Sequence, residues 1–158
     1  MILYVVTIIV IIGLTRALAY WGFYFLKAAE IPVINNILHL SYVENTGAAF
    51  GIFQNNSTLL SVVSIILFLG ITYFVASKKK VLTRDVIFAL ACVAGGGISN
   101  VADRFTFGFV IDYVYLKFIN FAVFNLADTC VVLGTIYIGI KILFEKDEEV
   151  IHENNSGE

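Results

Sequence analysis

Four runs of about twenty mostly apolar residues decide what this chain can become. They extend from about Ile2 to Phe25, from Ser57 to Ser77, from Val86 to Asp103 and from Val123 to Phe144. A helix of about 20 apolar residues crosses the hydrocarbon layer of a bilayer. Backbone in lipid must satisfy its own hydrogen bonds, so each run reads as a helix and the four as a polytopic bundle. Composition agrees. The chain is 59% hydrophobic and 14% charged, where soluble domains run near half and a quarter. Arg16 is the one charged residue in the first run. That run lacks the basic leading segment of a cleaved signal peptide, although "ALA" follows its apolar stretch, so a retained span is expected.

Basic residues in short connections orient such a bundle. "KKKVLTR" carries Lys78, Lys79, Lys80 and Arg84 between the second and third runs. That loop is expected to be cytoplasmic, and in a four-span chain both termini follow it. Residues 1–146 read as one membrane-embedded domain. Residues 147–158, "DEEVIHENNSGE", read as a polar cytoplasmic tail without fixed structure, with His152 solvated. A net charge of -2 and the lack of a basic patch argue against a nucleic-acid partner. Cys92 and Cys130 lie in apolar runs and read as packed small hydrophobes, with no metal-ligand spacing around them.

The two remaining connections face the other side. In "ILHLSYVEN" apolar Leu38, Leu40 and Tyr42 alternate with polar or small neighbours, which predicts a strand. His39 is read as a strand residue rather than a ligand. The second connection, "FGFVIDYVYLKFINF", is rich in aromatics and suits the membrane interface. Strand at its two ends, or a short amphipathic helix between them, is expected there.

Polar residues from four stretches converge on this outer level: Asn45 before the second span, Asn100, Asp103 and Arg104 at the end of the third, Asp112 in the connection, and Asn125 and Asp128 at the start of the fourth. Asn100, Asp103 and Arg104 are spaced i, i+3 and i+4 and share a helix face, as do Asn125 and Asp128 at i and i+3. "AGGGISN" supplies small residues that let helices approach closely. Each residue alone has a plain structural reading. Asp103 and Arg104 could be an interfacial ion pair, Asn45 a turn residue, Asn125 a helix cap and Asp128 a charge at a helix N-terminus. Together they leave unexplained why carboxylates and amides collect at one depth, where an ionisable group is costly and is usually retained for function. Asp112 and Asp128 form the best reactive pair, since neither has a sequence-adjacent cation. Two close carboxylates share one proton, and such a pair can activate water and protonate a leaving group with no metal or cofactor.

At these residues the chain resembles the bacterial lipoprotein signal peptidase (signal peptidase II) family. "IPVINNILHLSYVENTGAAFGIF" is similar to its NxGAAF region, "GGGISNVADR" to its GGxxGNxxDR motif, and "VIDYV" and "FNLAD" to its two aspartate motifs. The resemblance implies four transmembrane helices with a small extracytoplasmic β-sheet and an interfacial helix. It implies an aspartic endopeptidase of the bacterial cytoplasmic membrane that cleaves just before the diacylglyceryl-modified cysteine of a prolipoprotein. It places Asp112 and Asp128 as the catalytic pair and Asn45, Asn100, Asp103, Arg104 and Asn125 as supporting positions. The expected partners are the lipid bilayer and the lipidated prolipoprotein, with the chain acting as a monomer and the aromatic connection as a lid.

Two positions depart from that pattern. Ile12 and Gly13 of "IGLTR" stand where the family has an Asp-Gln pair, with Thr15 and Arg16 retained, and Ser99 stands where it has Gly. The first departure motivates an alternative, a catalytically weak or inactive member that still binds lipidated peptides. A small transporter or assembly factor with outer-face acids is a further alternative. It predicts polar residues continuing through the inner half of the bundle, and the sequence has almost none there.

Overall fold

A computed structural model of the chain describes residues 1–47, 53–54 and 56–155, with side chains described to Phe144. Its elements in order are α1 (Ile2–Phe25), β1 (Ile31–Ile34), β2 (Leu38–Asn45), α2 (Ser57–Lys78), α3 (Arg84–Phe107), β3 (Val110–Leu116), a 3-10 turn at Lys117–Ile119, and α4 (Leu126–Asn155). Four helices are long and apolar enough to span a membrane. Half of the α3 span is buried inside the molecule, against 11–22% for the other three. α3 is therefore the central helix, and its neighbours turn their large apolar side chains outward, where lipid can cover them. α3 stops at Gly108, whose φ of 86° is open to glycine and whose N–H donates to the Arg104 carbonyl.

The four helices match the four apolar runs. The fourth begins at Leu126 rather than Val123. Phe124 is held instead in a β-bridge to Val114, with N–H···O distances of 2.8 and 3.0 Å between the two backbones. The aromatic connection thus starts as strand, makes one 3-10 turn and ends on that single bridge. The α4 backbone continues to Asn155, into the polar tail, and residues 156–158 lie outside the described residues.

The strand expected in "ILHLSYVEN" is β2, the middle of a three-stranded antiparallel sheet ordered β1-β2-β3. His39 lies within it, opposite Tyr115 of β3, and its Nδ1 hydrogen-bonds the Glu30 carboxylate. In the β2–β3 register Val43 faces Asp112 and Asn45 faces Val110. Asn45 and Asp112 are therefore diagonal neighbours on one face of the sheet.

Two apolar clusters hold the frame. At the sheet end, Ala19 of α1 and Leu26, the residue that follows it, pack on Ile111 and Tyr113 of β3. At the other end, Tyr4, Ile8, Val75, Ile87, Leu90, Ala91 and Ala94 tie α1 and α2 to α3. α3 and α4 touch backbone to backbone. A Cβ on Gly96 would lie 2.4 Å from the Ala127 carbonyl oxygen, and one on Gly134 would lie 2.7 Å from that of Ala89. Only glycine allows this approach, which brings the first turn of α4 against the middle of α3.

Candidate active site

Asp112 is 1% exposed, in the middle of β3. Its Oδ2 accepts from Asn45 Nδ2 at 2.8 Å and its Oδ1 from Asn125 Nδ2 at 2.7 Å. Burial, followed by the charge of Asp128, pushes its pKa up to about 7, against the opposing pull of the two amides. Asn45 uses both ends of its amide. Its Oδ1 accepts from Gly47 N at 2.9 Å, closing the turn that follows β2.

Asp128 lies in the first turn of α4, one turn after Asn125, and the two cap the helix reciprocally. Asp128 N donates to Asn125 Oδ1 at 3.0 Å, and Asn125 N donates to Asp128 Oδ2 at 3.1 Å. This has the geometry of a capping box, with Asn and Asp in place of the usual Ser and Glu. The other carboxylate oxygen, Oδ1, accepts from Asn100 Nδ2 at 2.8 Å. Asn125 Nδ2 also donates to Asn100 Oδ1 at 3.2 Å. The result is a continuous amide network, in which Asn125 touches both carboxylates and Asn100 locks the second. Among the described residues, neither Asp112 nor Asp128 has a Lys or Arg within ion-pair distance.

Tyr113, next to Asp112, has its hydroxyl 3.1 Å from Leu126 N and accepts from it. This satisfies one of the free N–H groups at the start of α4. Burial pushes the pKa of that phenol up to about 12.

Asp103 and Arg104 do not pair with each other. Asp103 is 5% exposed and pairs with Arg16 of α1, while Ile111 N approaches its Oδ2 at 3.4 Å. Arg16 also donates to Thr106 Oγ1 at 2.7 Å, and its guanidinium lies 5.2 Å from the Phe107 ring centre. Successive residues on a helix point about 100° apart, which sends Asp103 to α1 and Arg104 the other way. Arg104 Nη2 donates to the Gly47 carbonyl at 2.9 Å, and its Nε is buried with no partner among the described residues.

The two departures from the family pattern have physical accounts. Ile12 packs against the apolar cluster at the far end and Gly13 is exposed. With Asp103 present, Arg16 needs no further acid on α1. Ser99 is 1% exposed, and its hydroxyl sits 3.0 Å from Thr15 Oγ1, so the added oxygen has a partner across the α1–α3 contact.

A groove of about 600 Å³ opens beside this network. Asn45, Asn100, Arg104, Asp112 and Asp128 line its polar end, and Leu67, Phe68, Ile71, Val93 and Val131 line an apolar trough that continues between α2, α3 and α4. All seven site residues expected from sequence thus lie at the sheet end of the bundle. Six of them form the network or line the groove, and Asp103 faces α1. Ala48, Ala49 and Phe50 of the "NTGAAF" stretch lie outside the described residues. Sequence reasoning did not pair Arg16 with Asp103 or find the Tyr113 contact. The lone charge of the first span was the available signal for the former.

Fold and site together define a multi-pass membrane protein with a carboxylate–amide centre at one end of its helices. The sequence model of the signal peptidase (SPase) II family matches residues 2–144, and the chain belongs to that family. It is 38% identical over 144 residues to a lipoprotein signal peptidase of Clostridioides difficile strain 630, covering 90% of this chain and 95% of the relative. It is 34% identical over 144 residues to one from Clostridium novyi, covering 87% and 97%. Among solved structures, one described as a bacterial membrane enzyme superposes with a TM-score of 0.83 at 23% identity, covering 92% of this chain and 90% of that one. At that identity the superposition speaks for the fold.

Proposed function

We propose that this chain is an aspartic endopeptidase that removes the signal peptide of prolipoproteins, cutting N-terminal to a diacylglyceryl-modified cysteine. The family membership and the relatives' names support the reaction. The observation that carries the aspartic chemistry is the Asn125 amide, which bonds Asp112 directly and caps the helix turn bearing Asp128. In this reading the pair holds one proton. Asp128 sits at the start of α4 and accepts from Asn125 N and Asn100 Nδ2, contacts that suit the member of the pair acting as base. Asp112, raised to about 7, carries the proton near neutral pH. Asp128 takes a proton from water as the water oxygen attacks the scissile carbonyl, and Asp112 gives its proton to the carbonyl oxygen. Collapse of the gem-diol breaks the C–N bond, the proton on Asp128 passes to the leaving amine, and a diol hydroxyl returns its proton to Asp112, restoring the singly protonated pair. Arg104, which lines the polar end of the groove and bonds the Gly47 carbonyl, would meet the substrate backbone there.

The apolar trough leading from the carboxylates fits a substrate that stays anchored in lipid, and the aromatic connection would shield the reacting bond from bulk water. The basic loop at Lys78–Lys80 supports cytoplasmic termini, with the sheet end extracytoplasmic, in a bacterial cytoplasmic membrane. The chain would act as a monomer, since all the proposed groups come from one copy. A cation or proton transporter is disfavoured because the Tyr4–Ile8–Leu90 cluster fills the far end with apolar side chains.

The test is cleavage of a lipidated prolipoprotein by the protein in vesicles, under single-turnover conditions. Asp112→Asn and Asp128→Asn should each lose about 10²–10⁴-fold or more in rate, the range for a positioned acid or base, with helical circular dichroism unchanged. Wild-type turnover by either variant would overturn the aspartic reading. Substrate binding by the native chain without product would mark an inactive member.

A further inference from the structure

Gly95, Gly96 and Gly97 are consecutive on α3 and point about 100° apart. Two of them are close helix contacts. A Cβ on Gly95 would meet Ile11 of α1 at 3.3 Å, and one on Gly96 would meet the Ala127 carbonyl of α4 at 2.4 Å. Gly97 differs: a Cβ there would find nothing within 4 Å among the described residues, and the residue lines the groove. No helix packing asks for a glycine at this position. Val93, Gly97, Asn100 and Arg104 form one stripe of α3, spaced i, i+4, i+7 and i+11, and all four line the groove. Down that stripe the wall passes from a cation to an amide, to no side chain, to an apolar residue. Asn100 is bonded to Asp128. Gly97 on α3 and Val131 on α4 each lie one turn, about 4.5 Å, inward from that bonded pair. This is where the polar end of the groove becomes the apolar trough.

We propose that Gly97 is a specificity-determining residue of this groove. Its missing side chain widens the throat between the carboxylates and the trough enough for two acyl chains, attached beside the scissile bond, to pass inward together. The proposal rests on the peptidase reading for the identity of the substrate and adds which residue sets the cross-section it accepts.

The experiment compares wild type, Gly97→Ala and Gly97→Leu in nanodiscs against two fluorescent lipopeptides of one sequence. One carries a diacylglyceryl thioether on its cysteine, the other a monoacylglyceryl thioether. Kd is read by anisotropy and kcat/KM by product. Because the site is open, both variants should keep the wild-type unfolding midpoint. Gly97→Leu should weaken diacyl binding by about tenfold or more, the scale of a misfit aliphatic group in a pocket. It should leave monoacyl binding within about twofold, with Gly97→Ala between wild type and Gly97→Leu. An unchanged diacyl-to-monoacyl ratio, or equal weakening of both ligands, overturns the proposal. Absence of product from wild type would instead overturn the peptidase reading, while the Kd ratio still decides the role of Gly97.

Discussion

On the face of α3 that meets α1, Asp103 is paired with the Arg16 guanidinium. On the face that meets α4, Asn100 leads to Asp128 and on to Asp112, whose hydrogen bonds come from amides. Asp103 and Asp112 are both buried and are held in opposite ways. The Arg16 guanidinium gives Asp103 an ion-pair partner across the α1–α3 contact. Amides only solvate a carboxylate and leave its protonation open to change. The α1 side is therefore suited to joining helices. The α4 side keeps an acid pair with no salt-bridge partner among the described residues, which is what proton transfer needs and what stability alone would not favour.

The largest effect expected from this contrast is on stability. Asp103→Ala strips Arg16, whose side chain is only 19% exposed, of its buried counter-charge. Breaking a buried pair in this way costs about 3–5 kcal/mol. A matching fall in the thermal unfolding midpoint in detergent is expected, whereas Asp112→Asn should lose activity and hold its fold. If both variants unfolded alike, or neither did, the division of labour between the two faces would be wrong.

The next effect sharpens the α4 side. Gly96→Ala forces a methyl group against the Ala127 carbonyl, with Val131 Cγ2 already at 2.8 Å. Overpacking of this kind costs about 1–3 kcal/mol. It must also move the first turn of α4, and with it Asp128 and Asn125. Rate should fall together with unfolding temperature, while Gly95→Ala, which needs only Ile11 to give by a few tenths of an ångström, should spare the rate. A Gly96→Ala protein with native kcat would show that the α3–α4 approach does not set the carboxylate geometry.

The same contrast explains what was legible in the sequence. Apolar runs are local signals, so the ends of α1, α2 and α3 fall within about four residues of expectation, while α4 starts at Leu126 and runs on past Phe144 to Asn155. The exception at Val123 arises because Phe124 finds a strand partner 10 residues upstream in β3. β1 was missed because it is short and carries Pro32, which is tolerated in a sheet only at an edge. The site residues were visible as polar exceptions in lipid-like surroundings, yet their bonding was not. Asp103 and Arg104 look like a pair in the sequence and are separated by the helical turn, while Asp103 and Arg16 meet across 87 residues. The three glycines are indistinguishable as letters, and only the surroundings of α3 tell them apart: α1 at Gly95, α4 at Gly96 and the groove at Gly97.

The smallest effect tests the amide side most directly. Burial and the charge of Asp128 raise Asp112 to about 7, and Asn45 and Asn125 hold it down by bonding its ionised form. An unfolded Asp titrates near ~3.9, so the folded protein binds this proton more tightly. The stability it contributes is complete below about pH 4 and is lost as pH rises through about 7. Activity that needs one proton on the pair should therefore decline above about pH 7, with an apparent value that belongs to the pair. Asn45→Ala removes a hydrogen bond that favours the charged form, so it should move that basic limb upward, by up to about one pH unit or 1.4 kcal/mol. Arg16→Lys, on the other face, should leave the limb where it is. The comparison is read from kcat/KM against pH for the three proteins. A downward shift for Asn45→Ala, or an equal shift for Arg16→Lys, would mean that the proton governing the reaction is not held on the amide-bonded face.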